Sequence, residues 1–157
     1  MSVLLKLLGA LSLTSCCTVS GFYFTHKVSM RRKCLQQICQ LLTLLSDEIQ
    51  CRKTDLHSLY DIISSANSYP ALCFEPEGEF RTLTAPASLN REEQLCFCEC
   101  FSSLGSPISA QECSRIEHYL QRFKTFYDSA KDEETQAKRL YPKLGVGAGI
   151  MAGIAVL

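Results

Sequence analysis

The sequence has no tryptophan, no surplus of either charge, and no proline-rich, polyglutamine or glycine/serine tract long enough to serve as a linker. Sixteen basic residues balance sixteen acidic ones, which argues against a nucleic-acid partner, since that partner selects for a basic excess. Without a linker, 157 residues have room for one domain. Reaction motifs are missing as well. No glycine loop stands ahead of a lysine to cradle phosphate, no serine sits in a nucleophile elbow, and His26, His57 and His118 are too far apart to pair on a metal. No segment alternates apolar and polar residues as a half-buried strand does. The expectation is an all-α protein that is not an enzyme, with no cofactor, no metal and no small-molecule substrate.

What is present is segregated along the chain. From Met1 to Phe24 only Lys6 is charged, and no charge follows Lys143. Leu7–Phe24 is uncharged over eighteen residues, the lower edge of what spans a bilayer. It closes on the aromatic cluster Phe22, Tyr23 and Phe24, and Lys27, Arg31, Arg32 and Lys33 follow. Lys138, Arg139 and Lys143 precede the second apolar run. Both basic clusters face the middle of the chain, so the positive-inside rule places the middle in the cytoplasm and predicts a two-span membrane hairpin. The expected layout is a transmembrane helix over 1–26, a cytoplasmic helical bundle over 27–139 and a second transmembrane helix over 140–157. The second run is short: Leu144–Leu157 is fourteen residues, roughly 21 Å of helix.

Glycine is a poor helix former in water, yet Gly145, Gly149 and Gly153 recur every fourth residue in that run. In lipid, helices associate where small side chains let backbones approach. The glycines form one such stripe, and Ala10, Thr14 and Thr18 form another in the first span. Membrane lipid and a second transmembrane helix are the partners this predicts. A rival reading starts from Leu13–Cys16, "LTSC", which resembles a lipoprotein cleavage box and would make an exported protein anchored at Cys16. The basic cluster after Phe24 opposes that export.

Ten cysteines at irregular spacing do not form a secreted disulfide framework, and most fall in segments that read as helix interior. They are expected to be reduced and to behave as small hydrophobes. The alternative, a thiol- or metal-dependent protein, would use "CFCEC": on a helix Cys96 and Cys100 share a face while Cys98 points away, so three thiolates could converge only in a loop.

The middle reads as helices. Leu35, Ile38, Leu42, Leu45 and Ile49 form one apolar seam from Val28 to Cys51. Thr54 is an N-cap for a second helix with Leu56, Leu59, Tyr60 and Ile63 on one face. "NSYP" (Asn67–Pro70) breaks it, and Ala71–Leu89 carries weak signals only. Asn90 and Glu93 form a capping box for a helix running to Leu104, and Ser109 with Glu112 repeats the device. The last helix carries Cys113, Ile116, Leu120, Phe123, Tyr127, Ala130 and Ala137 on one seam. The simplest core packs the first and last seams together.

In order and placement these pieces resemble the stage III sporulation protein AB family of endospore-forming bacteria. The likeness rests on "LKLLGA" (Leu5–Ala10), Gly21–Phe22, "LLSDEIQCRKTDLHSLYDII" (Leu44–Ile63), "SLGSPISAQECSRI" (Ser103–Ile116) and "LYPKLGVGAGIMAG" (Leu140–Gly153). The sequence departs from the family in Ala71–Leu89, which is shorter and lacks a common tryptophan, and in its shorter last apolar run. The resemblance implies a sporulation component of the mother-cell membrane facing the forespore. It implies a helical domain similar to that of the type II secretion F platform protein. The implied role is a non-enzymatic scaffold in a channel-like complex, docking a cytoplasmic secretion-type ATPase, stage III sporulation protein AA.

Overall fold

The computed structural model describes residues 2–51, 56–66, 68–75, 78–104 and 109–156; side chains at 2–8, 10, 11, 13, 14, 17, 18, 50, 51, 109–112, 142, 145, 149, 150, 152, 153, 155 and 156 lie outside that description. Four helices follow in order: α1 (Ser2–Cys51), α2 (Leu56–Ala66), α3 (Arg91–Ser102) and α4 (Ser109–Val156), with a 3₁₀ turn at Phe80–Thr82. Among the described residues there is no strand, so the fold is all-α. The expected caps at Thr54 and at Ser109 with Glu112 lie outside the described residues and side chains.

The chain divides into two compact units: Met1–Met30 with Ala130–Leu157, and Arg31–Ser129. The second is built on the predicted seams. Leu35, Ile38, Leu42 and Leu45 of α1 are fully buried, as are Ile116 and Phe123 of α4. Leu59, Tyr60 and Ile63 face inward from α2, and Cys96, Phe97, Cys100 and Phe101 from α3. Burial of each large apolar side chain stabilises by about 1.5–3 kcal/mol relative to exposure.

The stretch with weak signals contributes to this core. Leu72, Phe80, Leu83 and Leu89 are buried at irregular spacing. Gln37 of α1 anchors the stretch by accepting the Ala71 N–H at 2.8 Å. Tyr60 donates its hydroxyl to the Glu75 carbonyl at 2.9 Å, with its ring edge-on to Phe74 and Phe80. Gly78 makes this approach possible, since a Cβ there would lie 2.6 Å from the Tyr60 hydroxyl. The carbonyls just past the end of α3 are also satisfied: Arg81 donates to Leu104 and Arg115 of α4 donates to the C-cap Ser103.

In the first unit, α1 and α4 run antiparallel. Ser29 lies against Glu134, and Phe24 stacks on Tyr141 with ring centroids 5.9 Å apart. Moving back along α1 therefore moves forward along α4. Gly21, Ala130, Glu134 and Ala137 are buried here.

Among the described residues no helix is long and apolar enough to cross a membrane. The expected two spans thus gain no support from the structure. Described side chains in the first run include Ser12, Ser15 and Ser20, which dilute its apolar character, and many of the apolar side chains in both runs fall outside the description.

Candidate functional site

The second unit carries an open groove of about 660 Å³ between the outward side of α1 and α4. Gln36, Gln40 and Asp47 line it from α1, Lys124 and Tyr127 from α4, and Tyr69 from the connection after α2. Cys39 also lines it. Burial pushes the Cys39 thiol up to about 11; Lys124 opposes that shift and Asp128 adds to it. A thiol so raised is almost wholly protonated near neutral pH and makes a poor nucleophile. The groove therefore offers mixed charge, two tyrosine rings and hydrogen-bonding amides.

Next to the groove's helix, α1 is fastened to α3. Arg31 donates to Glu93 from Nε at 3.1 Å and from a terminal nitrogen at 2.5 Å. Glu93 simultaneously accepts the Asn90 N–H at 2.8 Å, the reciprocal half of the predicted capping box. Its side chain is 2% exposed. Arg31, expected as one of the basic residues that set topology, is thus engaged in a buried bidentate pair. In the first unit the same device recurs. Glu134 is buried and accepts from Ser29 Oγ at 2.7 Å and from Lys138 Nζ at 2.8 Å. A carboxylate at a seam position reads as a break in the apolar pattern, and Ser29, 105 residues away, supplies a donor from the facing helix.

Of the other expected site residues, Lys27, Lys33, Lys138, Arg139 and Lys143 are exposed and Arg32 is half-buried. Gly145, Gly149 and Gly153 lie in α4, and Ala10, Thr14 and Thr18 in α1, but their side-chain surroundings fall outside the described residues. Gly147, on the opposite side of α4 from Gly145, faces open space.

Cys34, Cys96 and Cys100 are buried and Cys73 and Cys98 are exposed, all as free thiols. Cys98 thus points away from its two neighbours, as the helical spacing predicts. Among the described residues no group of three or more His, Cys, Asp and Glu could hold a metal ion, so the Cys96, Cys98, Cys100 reading gains no support. Burial pushes the Cys100 thiol up to about 12, with Cys96 adding to it, and burial raises Cys34 and Cys96 too. Near neutral pH, Cys100 then holds about a thousandfold less thiolate than an ordinary thiol. Maleimide labelling of the folded protein should therefore modify Cys73 and Cys98 within minutes and leave Cys100 intact; equal rates would contradict the packing. A raised thiol pKa favours the folded state fully below the ordinary value of 9.0, and that contribution is lost as pH climbs towards 12.

The described residues form an all-helical chain with an open groove and two buried carboxylate clasps. The chain matches the family described as stage III sporulation protein AB (spore_III_AB) over residues 6–75 and 77–157, and it belongs to that family. Its role therefore lies in sporulation at stage III, in a family that is a structural component and not a known enzyme family. The match runs through Ala71–Leu89 and passes over only Pro76 there. No curated protein and no solved structure matches the chain.

Proposed function

We propose that this protein is a membrane-anchored scaffold of a sporulation channel complex, lying in the mother-cell membrane that faces the forespore. In this reading residues 27–139 form the cytoplasmic bundle and receive a secretion-type ATPase of the stage III sporulation protein AA kind. The observation that carries it is family membership along nearly the whole chain, joined to the two apolar runs flanked by basic clusters. Three features support the anchor. The Ser12, Ser20 and Thr25 hydroxyls donate back to carbonyls of their own helix at 2.9, 3.0 and 3.0 Å, which removes much of the cost of placing them in lipid. Helix α4 continues through Pro142, a residue better tolerated in transmembrane helices than in soluble ones. The antiparallel pairing of α1 with α4 is the arrangement a hairpin requires.

The glycine stripe then packs against another transmembrane helix, and the groove of the second unit holds the ATPase. Copurification from sporulating cells tests both assignments. The parent chain should retain the ATPase. Asp47→Arg in the groove should lower recovery at least about tenfold by reversing a charge at the contact. Gly149→Ile should keep the protein in membranes while lowering recovery of its membrane partners, with Ala148→Ile, about 100° around the helix, the milder change. Undiminished recovery with Asp47→Arg removes the groove as the docking face. A parent that retains no ATPase removes the docking role.

A further inference from the structure

The groove of the Arg31–Ser129 unit is long, and its charges are separated along it. Its α1 wall runs from Gln36 to Glu48, twelve positions on, which is about 18 Å of helix. Depth sorts the lining. Tyr69 is buried and Cys39, Leu44 and Tyr127 are half-buried, so they make a largely apolar floor. Asp47 and Lys124 stand exposed on the rim. Among the described residues neither of them makes an ion pair. Lys124 lies at the level of Cys39, where its charge opposes the rise of the thiol pKa. Asp128 also acts on Cys39 but does not line the groove. Asp47 stands eight residues beyond Cys39 on α1, or about 12 Å. The groove thus carries a cation towards one end and an anion towards the other.

These dimensions select an occupant. An open trough of this length leaves much of a compact small molecule in water, whereas ligand pockets bury most of what they hold. About three turns of helix match its length, and the apolar face of such a helix covers the floor, as in other helix-in-groove complexes. Charges about 12 Å apart are met from one face of a helix by residues seven or eight positions apart. An extended segment would meet them with residues about four positions apart.

We infer that the groove receives an amphipathic helix of the ATPase, with a basic residue of that helix at Asp47 and an acidic residue at Lys124, seven or eight positions apart. The seat rests on the docking face proposed above and adds the secondary structure and charge order of what docks there. A helix laid in the opposite direction brings like charges together, so the pair also sets its orientation along α1.

The test uses the full chain in detergent with the purified ATPase. A photoreactive side chain replaces either Gln36 or Thr43, two exposed, uncharged groove residues seven positions apart. Mass spectrometry identifies the ATPase residue that each one captures. Both captures should fall on one helix, seven or eight positions apart. An acidic residue should stand about a turn past the Gln36 capture, and a basic one about a turn past the Thr43 capture. Asp47→Arg should weaken binding at least about tenfold, and replacing that basic residue of the ATPase with glutamate should restore it. Captures three or four positions apart, or in separate segments, overturn the helix and leave the docking face standing. Captures in place without restoration overturn the charge order. Binding by the parent with capture at neither position overturns the groove as the docking face. A parent that binds no ATPase overturns the docking role and the seat with it.

Discussion

Glu93→Ala should destabilise the protein by about 3–5 kcal/mol, the range for removing one partner of a buried ion pair. Two losses combine. The Arg31 guanidinium, 12% exposed, is left without its bidentate acceptor. The Asn90 N–H loses the carboxylate that closes the first turn of α3. Glu93→Gln retains a neutral acceptor and should cost less. Urea unfolding of the full chain in detergent, followed by helical circular dichroism, checks both. A loss under about 1 kcal/mol for the alanine variant would mean that the clasp adds no more than a surface pair does.

Phe97→Ala should cost a similar amount, about 3–5 kcal/mol, through a different mechanism. Phe97 is fully buried in α3, with its ring 4.3 Å from that of Phe101. Truncation removes the apolar contact and leaves a cavity, because α3 is tied at both ends. Arg31 holds its start, and Arg81 and Arg115 hold the carbonyls just past its end. Phe97→Leu should restore most of the loss, since the volume is largely kept. The same unfolding measurement separates the two. Equal losses for alanine and leucine would point to ring stacking instead of cavity volume.

Both residues show where a sequence speaks and where it is silent. Leu35, Ile38, Leu42 and Leu45 are readable because each apolar step of three or four has one structural meaning, and all four are buried. The same holds for Leu59, Tyr60 and Ile63. Glu93 is half readable: its spacing from Asn90 announces a cap, but nothing local announces Arg31, 62 positions earlier. Glu134 is less readable still. It occupies an inward position between Ala130 and Ala137, where a carboxylate breaks the pattern until Ser29 supplies its donor. Leu72, Phe80, Leu83 and Leu89 escape periodicity altogether, because an irregular connection buries side chains wherever its turns happen to point them. The groove is invisible for another reason. Its walls come from polar positions of α1 and α4 beside the seams, and the expected pairing of those seams does not disclose a gap next to them. The family, by contrast, is legible from short stretches placed in order, and the match extends from residue 6 to residue 157.

We propose a hairpin anchor that leaves the Arg31–Ser129 unit in the cytoplasm. Cys98 provides a direct test, since it is exposed on α3 within that unit. A chain keeping Cys98 as its one cysteine is expressed in vegetative cells, whose protoplasts are treated with a membrane-impermeant maleimide. The account predicts no labelling of Cys98 in intact protoplasts and full labelling once the membrane is permeabilised, with the protein pelleting in the membrane fraction throughout. Labelling of Cys98 before permeabilisation, or recovery of the protein in the soluble fraction, would contradict it.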